Sequence, residues 1–347
     1  MVKPLASIIT DLHLKKENFT TVLSVIKQAS EYNLKNNIYW LFIAGDLFTS
    51  REAQPLKTLK EAHQIFDYID STGLDYRIIP GNHDKVDLND EYSYIHPFLR
   101  NTNKLIDIGN HVIIETTQFS FLPYYKEGED YLMLLQDLVK KRQSKISKHH
   151  LITHIAVNGV KNNDGSLAEG IEPNLFQAFD KVFVGHYHDE SFLEPNIYYI
   201  GSSHQANYGE DEKKGFTVVY DNGDHELIET TYPRYVKLHA SAKNPKDIDL
   251  QRIAYDKLQS QGHYPKLVLS VEEGEEMTKI EKQDFAQQGI LMEVVKPQIE
   301  EVTILSKGSL SFDRKNILKS FDQFCAKESI DKSEAKVGKE TYLAKIL

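Results

Sequence analysis

The chain has 347 residues, 40% hydrophobic and 27% charged, with a formal charge of −10; this is room for one large domain and a smaller one around a normal core. A single cysteine, Cys325, excludes an internal disulfide framework and a cysteine-based zinc site. No apolar run approaches the roughly 20 residues of a membrane span, and the acidity argues against tight autonomous nucleic-acid binding without excluding a DNA substrate.

In chain order, Met1–Thr10 lacks the pattern of a secretion signal and reads as a strand. The expected strands are Leu5–Thr10, Ile38–Ala44, Tyr76–Pro80, His111–Glu115, Gln118–Leu122, Leu151–His154, Lys181–Val184 and Ile197–Ile200. Two helical stripes lie between them: Phe19, Val22, Leu23, Ile26 and Ala29, then Leu56, Leu59, Ile65, Phe66 and Ile69, with Pro55 near the second start. The alternation predicts a layered α/β domain. A hairpin follows, Phe216–Tyr220 and Glu226–Thr231, around Asn222-Gly223, a pair that favours a type I′ turn. Polar residues Ser241–Asp249, with Pro245 among them, read as a linker. Beyond it come a helix (Asp249–Gln259), strands at Leu267–Val271 and Ile290–Val295, and a charged stretch, Glu272–Gln288, whose Glu272–Lys282 part reads most simply as a solvated helix face. In the last 40 or so residues, Ile317, Leu318, Phe321, Phe324 and Cys325 fall at helical spacing.

Five expected strands end in residues that bind metals. They are followed by Asp11-Leu12-His13, Gly45-Asp46, Gly81-Asn82-His83-Asp84, His154 and Gly185-His186-Tyr187-His188. Ligands of open α/β sheets collect outside the carboxyl ends of the strands, so these loops can converge. Two carboxylates, an amide and several imidazoles suit two divalent cations, and paired metals serve hydrolysis of phosphate esters. Taken singly, Asp11, Asp46 and Asn82 are also ordinary turn or cap formers. Of the other nine histidines, His204 after Gly201-Ser202-Ser203 is the candidate to line a site, while His149-His150 reads as an exposed strand start. Lys140-Lys141-Arg142 and Lys145 could offer a phosphate surface, but a solvated helix end is the simpler reading.

The ordered set resembles the calcineurin-like metallophosphoesterase superfamily. The resemblance implies a four-layer α/β/β/α sandwich with a small α+β capping domain and a C-terminal helical tail. It implies that Asp11, His13 and His188 hold one metal, that Asn82, His154 and His186 hold another, and that Asp46 bridges them. His83 would stabilise the transition state and protonate the leaving oxygen, with Asp84 orienting it. Imidazole with carboxylate suits manganese, iron or zinc, and manganese is the expected metal.

Gly45-Asp46-Leu47-Phe48 with Arg51, and the later Gly201-Ser202-Ser203, Gly209-Glu210 and Gly215-Phe216, are similar to the SbcD-type DNA repair and recombination nucleases, the short phage forms above all. Cellular members carry a second histidine where this chain has Thr49, which puts the balance of exonuclease and endonuclease work in question. The resemblance implies a nuclease domain over residues 1–240, a capping, DNA-contacting domain over 245–305, and a tail over 310–347 that docks on a coiled-coil ABC-type ATPase. The implied activity is 3′–5′ exonuclease action on duplex ends and endonuclease action on single strands, leaving 5′-phosphates, by a cytoplasmic homodimer. The alternatives are a small-molecule phosphodiesterase or phosphatase of the same superfamily and, from another class, a non-catalytic scaffold.

Overall fold

The computed structural model describes residues 2–88, 92–99, 103–126, 128–160, 166–271, 285–286 and 290–295. The expected tail over 310–347 and its Ile317–Cys325 stripe lie outside the described residues. So does almost all of Glu272–Gln288. All described elements fall within one compact unit, Met1–Lys296.

Three apolar strands, β1 (Pro4–Ile9), β2 (Trp40–Ala44) and β3 (Asp75–Ile79), pair in parallel. Helices α1 (Phe19–Lys35) and α2 (Leu56–Thr72) connect them. α1 buries Val22, Val25, Ile26 and Ala29, and α2 buries Ala62, Ile65, Phe66 and Ile69, the spacing of one helix face. After the short α3 (His96–Leu99) come β4 (Asn110–Ile114), β5 (Thr117–Leu122), α4 (Glu129–Lys140), β6 (Lys148–His154), β7 (Lys181–Gly185), β8 (Ser191–Glu194) and β9 (Ile197–Tyr199). These strands form a second sheet in the order β4-β5-β6-β7-β9-β8. The hairpin of β10 (Gly215–Tyr220) and β11 (His225–Glu229) returns to the first sheet, antiparallel to β1.

The two sheets meet face to face. Phe42 of the first packs on Phe119 and Phe121 of the second, with ring centroids 5.3 and 4.9 Å apart, beside Ile79, Ile152 and Phe183. α1 and α2 cover the outer face of the first sheet. Tyr131, Leu135 and Leu138 of α4 pack with Leu151, Val182 and Val184 of the second. The result is the α/β/β/α order expected from the sequence. A third, parallel sheet holds β12 (Tyr235–Ser241), β13 (Tyr264–Ser270) and β14 (Met292–Val295), with α5 (Pro245–Ser260) packed on it through Tyr255.

Three local readings are corrected. The segment Ser241–Asp249 is not a linker but the end of β12 and the first turn of α5. Asn244 accepts a hydrogen bond from the Asp247 amide at 3.3 Å, and Pro245 follows it at the helix start. The polar residues and proline that suggest a linker are a helix-start signal. The hairpin turn is not type I′, because Gly223 (φ +89°) has positive φ and Asn222 does not. The Gly223 amide donates to the Tyr220 carbonyl at 3.0 Å, which is a turn closed by one left-handed glycine. Finally, His149 and His150 are fully buried, because β6 is an interior strand covered on both faces.

His150 lies between Phe119 and Phe183, and neither ring nitrogen has a hydrogen-bond partner. His149 reaches Ser120 Oγ at 2.9 Å. Burial pushes both imidazoles down to about 4. Each therefore takes up its proton more readily in the unfolded chain. Stability is complete above the unfolded value of about 6.5 and is lost as pH falls toward the folded value. His150→Leu is expected to remove about 2 kcal/mol of the stability difference between pH 7 and pH 5. Denaturant melts at the two pH values check this, and an unchanged difference contradicts it.

Candidate metal centre

The first two strand ends run on together past their sheet. The amides of Asp11, His13 and Leu14 donate to the carbonyls of Gly45, Asp46 and Leu47 at 3.1, 3.0 and 2.7 Å. The chain must turn sharply to do this. Asp11 (φ +51°), His13 (+44°), Asp46 (+54°) and His186 (+98°) are four of the six described non-glycine residues with positive φ. Such backbone is costly for a side-chain-bearing residue, so its concentration on the candidate ligands marks a site that its surroundings enforce. Two glycines let the sheets close on it. A Cβ on Gly45 would strike the His154 ring, and one on Gly185 would strike Thr10, the Ala44 carbonyl and His154.

All nine residues singled out from the sequence gather here. One atom each from Asp11, His13 and His188 lie within 4.8 Å of one another, and the same holds for Asp11, Asp46 and His154. Nε2 of His13 and Nε2 of His188 are 2.9 Å apart. Asn82 Oδ1 lies 3.1 Å from His154 Nε2 and 2.9 Å from His186 Nδ1. Asp46 Oδ2 stands between the groups, 3.3 Å from His154 Nε2 and 3.7 Å from His13 Nε2, while its Oδ1 accepts from the His83 amide at 2.8 Å. Asp11 Oδ1 is buried and has no hydrogen-bond partner, a cost that a cation would relieve. Nitrogen and oxygen donors, two carboxylates and this orphaned oxygen fit two divalent cations.

Charge follows from contact. Burial alone would raise the pKa of Asp46, but His154 and His13 outweigh it and hold the carboxyl far below its ordinary range. Burial works against a proton on His154 too, yet Asp46 raises that pKa to about 9. Asp11 is held at about 2: burial pushes up, and His13, 3.7 Å from Oδ1, with the charges of His154 and His188, pulls down. His186, without such a partner, is pushed down to about 4 by burial.

Asp84 does not orient His83 as expected. Its carboxylate accepts from the amides of Gly81 (2.8 Å), Phe48 (2.9 Å) and Leu47 (3.3 Å), tying the β2 and β3 loops together. Burial and the neighbouring Asp46 charge push its pKa up to about 7. The His83 ring is held by the Thr49 carbonyl, which accepts from Nδ1 at 2.6 Å. The Thr49 hydroxyl donates to the His13 carbonyl, also at 2.6 Å. Burial lowers the pKa of His83 despite Asp46.

Sequence reasoning missed Glu210. It is buried and accepts a hydrogen bond from His188 Nδ1 at 2.8 Å, which turns Nε2 toward His13 and Asp11. Lys214, fully buried, braces the same loop through the His188 carbonyl (2.5 Å) and Asp189 (2.6 Å). Gly209-Glu210 was visible in the sequence only as part of a resemblance, and nothing local shows which histidine it reaches. His204 is buried beside the site, 3.5 Å from Asn18, whose side chain donates to the His13 carbonyl. The cluster at Lys140–Lys145 is a solvated helix end, with Lys141 paired to Asp137.

The family model for calcineurin-like phosphoesterases matches residues 7–190, more than half of the chain, and the protein belongs to this family. It is 29% identical to exonuclease subunit 1 of Enterobacteria phage T4 over 199 residues, 55% of this chain and 56% of that protein. It is 27% identical to the SbcD subunit of the SbcCD nuclease of Staphylococcus saprophyticus, over 52% of this chain and 54% of that one. A protein of invertebrate iridescent virus 6, described as a phosphoesterase, is 26% identical over 66% of this chain and 79% of its own length. Matches thus span little more than half of the phage and staphylococcal proteins. A dimetal phosphatase from Danio rerio aligns with 65% of this chain and 98% of its own, with 10% identity and a TM-score of 0.43.

Membership in this family implies a divalent-metal phosphoesterase. A carboxylate behind a metal-binding histidine fixes its tautomer and raises its basicity, and its loss costs 10- to 100-fold in affinity. Glu210→Gln is expected to weaken manganese binding about 10-fold, read as a smaller manganese-induced rise in melting temperature. Unchanged metal stabilisation contradicts the role.

Proposed function

We propose that this chain is the nuclease subunit of a DNA repair or recombination assembly, cutting phosphodiesters with two manganese ions. The observation that carries the proposal is an open pocket lined by five of the seven donors, His13, Asp46, Asn82, His186 and His188, with the cations Lys15 and Arg51 on its wall. A cavity of about 270 Å3 admits a phosphodiester with its neighbours outside. The likeness to the phage exonuclease subunit and to the staphylococcal nuclease subunit supports DNA as the substrate.

In this reading Asp11, His13 and His188 hold one metal, Asn82, His154 and His186 the other, and Asp46 both. Bound there, the two cations lower the pKa of the attacking water and neutralise charge on the phosphoryl oxygens. The residues of the chain do the rest. Asp84 and the Thr49 carbonyl hold the loop and ring of His83, leaving Nε2 for the substrate. As water oxygen bonds to phosphorus, the phosphorus–O3′ bond breaks. The attacking water gives one proton to solvent, and O3′ takes one from Nε2 of His83 in its imidazolium form, which solvent then re-protonates, giving a 3′-hydroxyl and a 5′-phosphate. Since the Thr49 hydroxyl is already spent on His13, Arg51 and Lys15 supply the positive charge around the substrate.

The proposed activities are 3′–5′ exonuclease on duplex ends and endonuclease on single strands. A coiled-coil ABC-type ATPase would open duplex ends and dock on residues 310–347, and residues 245–305 would contact DNA. A homodimer in the (host) cytoplasm completes the proposal. Among the described residues no helix is long and apolar enough to cross a membrane. The iridoviral relative, described only as a phosphoesterase, keeps a second reading in view: a small-molecule phosphodiesterase or phosphatase.

Purified protein with manganese is expected to degrade linear duplex or single-stranded DNA, alone or with its ATPase, and to stop on chelation. Rapid turnover of cyclic nucleotides with DNA left intact would favour the second reading. His83→Ala is expected to lower DNA turnover about 10²- to 10⁴-fold while retaining its metals. Unchanged turnover in that variant contradicts the role of His83, and a wild type that hydrolyses neither DNA nor small phosphoesters points to a non-catalytic scaffold.

A further inference from the structure

A second cavity, of about 220 Å3, adjoins the metal pocket, and the two share Lys15, Asn18 and Ala206. Its far wall is aromatic. Tyr235 and Tyr264 open the parallel strands β12 and β13 and stand directly opposite each other in register. Their rings stack, with centroids 4.9 Å apart and 28° between planes. Tyr208 backs the pair, edge-on to Tyr235 at 5.0 Å. The stack is thus built from three tyrosines, yet Tyr264 leaves 46% of its surface exposed. Lys15, on the wall between the cavities, makes no ion pair among the described residues. Glu17 and His204 add polar atoms to the second cavity.

We propose that this second cavity is a nucleotide subsite, in which the base next to the scissile phosphate stacks on Tyr264 and Lys15 meets the phosphate joining the two nucleotides. The inference rests on the nuclease reading above and says where the strand is held. A base has an exposed face for such a platform only when it is unstacked, as at a single-stranded or opened end. Base–aromatic stacking is worth about 1–3 kcal/mol per base and tolerates any sequence. A lysine provides the compact point charge suited to a phosphate between two fixed sites. Continuity through Lys15 sets a nucleotide chain apart from an unrelated small ligand, which would need only one cavity.

The experiment uses the full chain carrying His83→Ala, so that the strand is bound and not consumed. Binding of a fluorescent oligothymidylate is followed by anisotropy at several salt concentrations. Adding Tyr264→Ala is expected to weaken single-strand binding about 5- to 100-fold, and Tyr264→Phe to keep it. Lys15→Met is expected to reduce the slope of log affinity against log salt by about 0.7. Tyr264→Trp joins Trp40, the chain's one native tryptophan, and its fluorescence is expected to be quenched as the oligonucleotide saturates. Equal affinity for Tyr264→Ala and its parent, or no quenching in a folded Tyr264→Trp protein that binds the strand, overturns the subsite. Hydrolysis of bis(p-nitrophenyl) phosphate by the wild type tests the phosphodiesterase reading separately, since that ester needs only the metal pocket.

Discussion

One buried carboxylate constrains the whole site. Asp46 is 1% exposed, and an ionised carboxylate so far from water is tolerable only among donors and positive charge. Its side chain takes the His83 amide on one oxygen and faces His154 and His13 with the other. Its own carbonyl accepts from the His13 amide. Three strand ends are thereby tied to one residue, and His154 brings in the second sheet. The left-handed backbone at Asp11, His13, Asp46 and His186 is the conformational cost of this convergence. Gly45 and Gly185 make it sterically feasible.

Around this core stands a layer of residues that touch no reacting group. Asp84 staples two loops through three amides. Glu210 fixes the His188 tautomer, and the Ala44 carbonyl does the same for His154 at 2.8 Å. Thr49 spends both its oxygens on position: the hydroxyl on His13, the carbonyl on His83. The pocket that remains is open and has the cations Lys15 and Arg51 on its wall, an arrangement suited to an anionic phosphate ester. An acidic chain is thus compatible with an anionic phosphate ester, because the carboxylates of Asp11 and Asp46 are gathered where divalent cations would neutralise them.

The parts of the fold legible in the sequence are those with one physical cause. Buried parallel strands such as β2 and β7 read as unbroken apolar runs, and the donors after them stand out against that background. The helix faces of α1 and α2 repeat every three to four residues and are equally plain. Illegible features depend on partners far away in the chain. Glu210 meets His188 across 22 residues, and Asp84 meets Phe48 across 36. β12 alternates weakly and shows little buried surface, so the third sheet began earlier than its composition suggested. His149-His150 misled because polar side chains at a strand start usually face water, whereas here both neighbouring strands cover them.

In the reading proposed above, these donors form a single centre for two cations joined by Asp46. Crystals soaked in manganese and measured at its absorption edge test it most directly. Two anomalous peaks are expected in each chain, about 3.5–4 Å apart, one beside Asp11, His13 and His188 and one beside Asn82, His154 and His186, with Asp46 between them. One peak, or none in this pocket, would contradict it.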